Sequence, residues 1–415
     1  MFALIDCNNF FVSCERVFRP ELENKPVIVL SSNDGCAISR SNEAKLLGIP
    51  MGAPLFEIRH LVKAYNAEVL SCNFELYGDI SSRIMSILQQ QCEKVEVYSV
   101  DEAFLEYDDS VDWQTEGERL QKHLMQCVGI PISIGFGVTK TLAKLANLQA
   151  KASGVVCYLD ASTKYHDALK AITVNKIWGI GAKLSKSLRQ QAIYTAYDLM
   201  TANAKDIRKE YGIIVERIVH ELNGQSCIPL TLIQDPKKSI QITRSFATPV
   251  KDMAILKQAV ARYGFRLAYK LRENSQKTQT LWVYGRNTKF ESSNTVLHQR
   301  TIILDEPTND TATIIQHAQS AVEDFFDPKI SYSKIGIMAL DLHDATLPQQ
   351  KSIFTPKAND KKDIDKVMDD LNKRFGLGTV RPLSCGESID WMNKRDHKTP
   401  AYTTNWQNIV QVKAK

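Results

Sequence analysis

No cysteine in this chain belongs to a Cys-x-x-Cys pair, although nine are scattered along its 415 residues. An odd, unspaced set argues against a disulfide frame or a zinc ribbon and predicts reduced thiols in a cytosol. No apolar run reaches membrane-spanning length. Residues 1–11 are apolar but lack a basic leader and a cleavage site. A soluble, intracellular, cytoplasmic protein is therefore expected, with no membrane partner. Internal repeats and low-complexity tracts are absent too. The net charge is only +5, but it is unevenly spread. Residues 1–160 carry 14 Lys/Arg against 21 Asp/Glu, and the other 255 carry 38 against 26. An acidic front and a basic rear fit nucleic-acid contact, and fit a solvated surface equally well.

What is present suggests two to four domains with ample cores. Residues 2–7 and 26–31 read as apolar strands flanking a helix, for which Asn8 and Asn9 are candidate N-caps. A helix over 41–47 ends at Gly48 and Pro50, and 75–91 has helical spacing. Strands at 95–100 and 103–107 pinch at Asp101-Glu102, followed by a helix (116–128), a strand (132–138) and a helix (141–152). That order predicts an α/β sandwich on an antiparallel sheet. After Ser153-Gly154, residues 161–230 read as short helices, and 231–239 as a linker around Asp235-Pro236. Residues 240–342 follow a β-α-β-β-α-β order, a ferredoxin-like unit. Beyond Pro348 the pattern thins into a polar tail.

Three carboxylates stand out. Asp6 closes the first strand, and Asp101-Glu102 sit between two others. Strand tips can hold such hard oxygens around Mg²⁺, which binds through a few carboxylates plus substrate phosphates. A paired-ion site of this kind serves nucleotidyl transfer. Ser99-x-x-Glu102 also fits a helix capping box, and Asp6 could cap the helix after it. Of Phe10 and Phe11, one suits the core and the other could stand against a nucleotide sugar. Lys45 and Lys151 could each reach a triphosphate as point charges. The Trp178-Gly179-Ile180-Gly181 turn, trailed by Lys183, Lys186 and Arg189, could hold a DNA phosphate on its N–H groups or simply join two helices. Arg262, Arg266 and Lys270 read as a solvated helix stripe. Arg244 and Arg286, on strands, are better placed to lie along a DNA groove. Gln350, Ile353 and Phe354 form a small hydrophobic anchor within the tail.

Several segments together resemble the Y-family translesion DNA polymerases, and among them the UmuC-like catalytic subunit of bacterial DNA polymerase V. They are Ala3-Leu4-Ile5-Asp6-Cys7-Asn8, Ser32-Asn33-Asp34-Gly35-Cys36, Asn42-Glu43-Ala44-Lys45 with Gly48, residues 98–104, Thr139-Lys140-Thr141-Leu142-Ala143-Lys144, residues 178–181, and Arg244-Ser245-Phe246. They run in the family's order over almost the whole chain. The resemblance implies a multidomain α/β (α+β) right hand. Its palm would be 1–23 with 70–160, its fingers 24–69, its helical thumb 161–230 and its little finger 240–345. Residues 346–415 would be a C-terminal tail. It implies two Mg²⁺ ions on Asp6, Asp101, Glu102 and the Cys7 carbonyl. Phe11 would be the steric gate against ribonucleotides, and Phe10, Asn42, Lys45 and Lys151 would be the further nucleotide contacts. Gly179–Gly181 would be a helix-hairpin-helix turn on DNA. Gln350, Ile353 and Phe354 would bind the β sliding clamp. Primer-template DNA, dNTP, a UmuD′-like subunit and a RecA filament are the implied partners, in an SOS damage response. Three positions depart from the pattern: Phe11 and Asn42 replace a usual Tyr, and Lys351 a usual Leu. A polymerase IV-like enzyme working alone, or a non-catalytic DNA- or clamp-binding relative, are the alternatives.

Overall fold

The opening apolar run forms strand β1 (Phe2–Cys7), buried along its whole length. A computed structural model describes residues 1–108, 111–158, 163–233, 235–287, 296–347, 362–387, 391 and 395–411. After β1 come α1 (Phe10–Phe18), β2 (Val27–Leu30), β3 (Ala37–Arg40), α2 (Asn42–Leu46), α3 (Leu55–Ala64) and β4 (Glu68–Ser71). Then follow α4 (Phe74–Gln91), β5 (Val95–Val97), β6 (Glu102–Glu106), α5 (Trp113–Val128), β7 (Ile132–Gly137), α6 (Lys140–Ser153) and β8 (Val155–Tyr158). Five short helices complete this stretch: α7 (Thr163–Ala171), α8 (Ala182–Gln190), α9 (Ala196–Thr201), α10 (Ala204–Tyr211) and α11 (Ile213–Leu222).

The main sheet has the order β5-β6-β1-β7-β8, which puts β1 at its centre. A central strand is covered on both faces, which explains why its sequence is apolar throughout rather than alternating. The sheet is not wholly antiparallel as expected. β7 and β8 run parallel, because α6 returns the chain between them as a crossover. One face carries Ala3, Ile5 and Ile134 into a core shared with α1, α4 and α5. On the other face α6 comes unusually close to β7. A Cβ at Gly135 would lie 2.2 Å from the Asn147 nitrogen, and one at Gly137 2.5 Å from the Ala143 nitrogen. Those two glycines therefore set the height of α6 above the sheet. A smaller sheet, β3-β2-β4, packs Ile28, Leu30, Ile49 and Ile58 into its own core.

The chain divides into two units, residues 1–234 with 395–415, and residues 235–394. The second contains β9 (Ile240–Val250), α12 (Met253–Glu273), β10 (Gln276–Arg286), β11 (Leu297–Thr308), α13 (Thr311–Phe325) and β12 (Tyr332–Asp344). Its antiparallel sheet has the order β11-β10-β12-β9. The β-α-β-β-α-β order is the one expected.

The region beyond Pro348 differs from the expected polar tail. Helix α14 (Lys362–Phe375) buries Asp365, Met368, Asp369 and Asn372 and exposes Ile364, Val367, Leu371 and Phe375. The inversion has a cause in α12. Arg272 donates to both carboxylate oxygens of Asp369 (2.7 and 2.8 Å) and to Asp365 (3.1 Å). The supposed solvated stripe on α12 is likewise partly covered, since Arg262 donates to the carbonyls of Cys385 (2.7 Å) and Gly386 (3.0 Å). Residues from 395 onward belong to the first unit. There Lys398 forms a parallel bridge to Ser71 at the end of β4, and Ser71 N donates to His397 O at 3.0 Å.

Candidate active site

The register of β1 against β6 makes Asp6 the direct partner of Glu102. Asp101 stands just before β6, and its carbonyl accepts from Cys7 N at 2.9 Å. Two strands thus bring Asp6, Asp101 and Glu102 to one rim of the sheet. Ser99 shapes the turn, accepting from Glu102 N at 3.0 Å and donating to Asp101 Oδ1 at 2.6 Å. The Ser99-x-x-Glu102 pattern is therefore no helix cap, since Glu102 opens a strand. Asp6 caps nothing either. Asn9 holds the N-cap position of α1 in the left-handed region (φ 49°) but makes no side-chain cap bond. Neither asparagine caps α1 as expected, because each side chain is used elsewhere. Asn8 Oδ1 accepts from Ser133 Oγ at 3.0 Å, and Asn9 bonds Asn42 and Lys45.

Helix α6 supplies the counter-charges. Lys140, Lys144 and Lys151 fall on one side of it, at spacings of one turn and then two. Lys140 pairs with Glu96 at 2.6 Å, deeply buried. Lys144 Nζ lies 3.1 Å from both oxygens of Glu102, and Lys151 Nζ 2.9 Å from Asp6 Oδ2. Between them Asn147 donates to the Leu4 and Ser133 carbonyls, fixing the helix on the sheet. Lys144 was not singled out from the sequence as a site residue. The two-turn interval to Lys151 was the available signal.

Asp6 is 7% exposed, and burial pushes its pKa up to about 6. Lys151 opposes that rise, while the charges of Glu102 and Asp101 add to it. The rim is thus still short of positive charge, and its donors are hard oxygens suited to a divalent cation. The carboxylates are not already closed around an ion position. Among the described residues no three His, Cys, Asp or Glu groups are gathered to hold a metal. Asp6 and Glu102 each face a lysine, and Asp101 is bonded by Ser99.

Phe10 and Phe11 separate as their positions on α1 require. Phe10 is 3% exposed in the core, so it is not available to a nucleotide, contrary to its inclusion among the contacts. Phe11 is half-buried and stacks on Tyr77 (centroids 4.5 Å apart, planes at 14°). Nearby, Lys45 donates to Asn9 Oδ1 and, at 3.3 Å, to Asn42 Oδ1. Burial, then the charges of Arg40 and Lys151, lower the Lys45 pKa. Arg40 Nε is buried without a hydrogen-bond partner among the described residues. Lys45, the charges of Arg40 and Lys151 that act on it, and the orphaned Arg40 donor make a place for a polyanion, and Arg40 is a member that sequence reasoning missed.

The other predicted contacts lie elsewhere. Gly179 takes a left-handed φ of 87°, and Gly181 is the N-cap of α8. Ile180 is buried and its N–H donates to Ile177 O, so it offers no contact to DNA. Lys183 is exposed on the first turn of α8. Arg244 and Arg286 do not share a sheet face, as their grouping assumed. Arg244 is the partner of Ile335, which in turn faces Gly285, whereas Arg286 faces Lys334, which in turn faces Ser245. Successive residues alternate between faces, so Arg244 lies on the side of α12 and Arg286 on the opposite side. Beside Arg286, burial and the Arg286 charge lower the pKa of Lys334. Gln350, Ile353 and Phe354 fall outside the described residues.

Residues 5–148 match the impB/mucB/samB family, residues 237–353 its C-terminal domain, and residues 362–412 a domain of unknown function, DUF4113. Protein UmuC of Salmonella typhimurium is 35% identical, with both chains covered in full. DNA polymerase IV of Corynebacterium diphtheriae is 27% identical over 97% of this chain and 88% of its own. Among solved structures, the Y-family DNA polymerase chimera Dbh-Dpo4(243-245)-Dbh superposes with a TM-score of 0.67 at 19% identity, covering 82% of this chain and 99% of that one. The fold is that of the Y-family DNA polymerases, and with a relative of this identity matched from end to end, the chain belongs to the impB/mucB/samB family.

Proposed function

We propose that the chain is an error-prone translesion DNA polymerase, adding dNTPs to a primer 3′ end opposite damaged template. The observation that carries this reading is the pairing of Asp6 with Glu102 beside Asp101, faced by lysines from one helix. Asp6, Asp101, Glu102 and the Cys7 carbonyl would hold two Mg²⁺ ions. When bound, such ions acidify the primer hydroxyl and neutralise the departing pyrophosphate. The chain's own groups do the positioning. Lys45, Arg40 and Lys151 receive the triphosphate, Lys151 also balancing the charge of Asp6. Phe11 lies against the sugar, where a 2′-hydroxyl would collide with the ring. Lys183 with Gly179 and Gly181 of the turn before it, and Arg286 with Lys334, contact the DNA backbone without reading sequence. The subdomain boundaries given above, the β sliding clamp on Gln350, Ile353 and Phe354, the UmuD′-like subunit, the RecA filament and the SOS setting complete the proposal by family resemblance.

The test is primer extension on undamaged and abasic templates with Mg²⁺, comparing wild type with Asp101→Ala. Clamp, UmuD′-like subunit and RecA are then added in turn. Extension should fall on the order of 10³-fold in the variant, with the fold intact by circular dichroism. Wild-type-like extension by Asp101→Ala would overturn the assignment. Stimulation by the added proteins would place the enzyme in the polymerase V branch, and indifference to them would favour the stand-alone alternative.

A further inference from the structure

The C-terminal segment that returns to the first unit passes next to the residues that support the Phe11–Tyr77 pair. Tyr77, 1% exposed, stacks on Phe11 and donates its hydroxyl to Glu15 Oε1 at 2.7 Å. Thr399 donates to the same carboxylate oxygen at 3.2 Å. Asn73, at the N-cap of α4, holds Thr399 in turn. Its Nδ2 donates to Thr399 Oγ1 (3.0 Å), Thr399 O (3.2 Å) and Pro400 O (3.1 Å). Tyr402 stacks on Phe18 at the far end of α1 (4.8 Å, 7°), and α1 carries both Phe11 and Glu15. Asp396 N donates to Asp34 Oδ2 at 2.9 Å, and Lys398 pairs with Glu75 at 3.0 Å.

Glu15 is a fully buried carboxylate whose second oxygen has no hydrogen-bond partner among the described residues, and burial raises its pKa. A buried carboxylate that takes hydrogen bonds from two donors among the described residues depends strongly on each of them. Thr399 is one, and it comes from the last part of the chain. The other, Tyr77, is the ring that sets the plane of Phe11.

We propose that residues 396–402 brace the sugar-facing ring, with Thr399 and Glu15 acting through Tyr77 as positioning residues that sharpen discrimination between deoxyribo- and ribonucleotides. The proposal rests on the reading of Phe11 given above. A loosened Tyr77 would let Phe11 tilt and admit a 2′-hydroxyl, while leaving the carboxylate rim untouched.

Two readouts on the full chain test it, using Thr399→Val, which is nearly isosteric but cannot donate, and Thr399→Ser, which can. The first is the ¹⁹F signal of 4-fluorophenylalanine placed at position 11, recorded well below the melting temperature. It should shift or broaden in the Val variant and stay near wild type in the Ser variant. The second is the ratio of kcat/KM for a dNTP to that for its rNTP. It should fall about five- to tenfold in Thr399→Val, equal to about 1–1.4 kcal/mol, and recover in Thr399→Ser. An unchanged ¹⁹F signal in Thr399→Val overturns the brace whatever the activity. A changed signal with an unchanged ratio overturns its role in selection, as does an equal fall in the Ser variant. Absence of incorporation by the wild type would overturn the polymerase reading instead, and with it the selection role, leaving the ¹⁹F comparison to decide the mechanical coupling.

Discussion

Lys144 Nζ sits 3.1 Å from both carboxylate oxygens of Glu102, so one of the three rim carboxylates is held by a lysine from two turns before the one that holds Asp6. Each lysine would compete with a divalent cation held by the same oxygens. Lys144→Met should therefore lower the Mg²⁺ concentration for half-maximal extension by about two- to fivefold, the equivalent of roughly 0.5–1 kcal/mol for a partly exposed pair. A Mg²⁺ titration of extension rate decides this, and an unchanged midpoint would show that Lys144 does not compete.

Asp6 has its pKa raised from 3.8 to about 6, chiefly by burial. In the metal-free protein, proton binding there favours the folded state. That contribution is fully present below about pH 4 and is lost as the pH rises through 6. Asp6→Asn should then unfold at a higher temperature than wild type in EDTA at pH 8. The gap should narrow toward pH 5, and the difference should be on the order of 2 kcal/mol. Thermal melts at several pH values measure it. Added Mg²⁺ should stabilise wild type and not the variant.

Gly135 leaves no room for a side chain, its Cβ position being 2.3 Å from the Ala143 carbonyl oxygen as well as 2.2 Å from the Asn147 nitrogen. Gly135→Ala should lift α6 from β7 and cost at least about 2 kcal/mol. Because α6 carries Lys144 and Lys151, extension should fall as well. Denaturant melts and primer extension on the same sample check both effects.

Arg272 holds two buried aspartates of α14. Arg272→Ala would leave both without their cation, a loss of roughly 3–5 kcal/mol for a buried pair. The expected outcome is fast amide exchange along residues 362–375 with slow exchange retained in α12. Hydrogen exchange read by mass spectrometry reports it.

The carboxylate rim was legible because strand ends announce themselves. An apolar run closed by Asp6, and two strand segments pinched at Asp101-Glu102, place the acids at a common edge without knowledge of any contact. The pairing that aligns Asp6 with Glu102 was not legible, since it joins residues 96 apart through a register the local pattern does not encode. Arg244 and Arg286 failed to group for the same reason, because face assignment depends on strand parity. Helix α14 was missed because its pattern is inverted. Apolar residues outward and Asp365 with Asp369 inward read as a polar tail until Arg272 is known to lie beneath. Of Phe10 and Phe11, one lies in the core as expected and the other is half-buried, but adjacency alone could not say which.

The contact between Asn73 and Thr399 spans 326 residues of chain. During synthesis from the N-terminus, Phe11, Glu15, Tyr77 and the whole carboxylate rim leave the ribosome long before residues 396–402 exist. The rim can assemble on the nascent chain, whereas the support beneath Phe11 cannot be finished until translation is almost over. A chain cut short at 394 would thus carry every rim carboxylate and lysine yet lack the hydroxyl that Glu15 takes from Thr399, so translation itself separates the assembly of the rim from the completion of the support beneath Phe11.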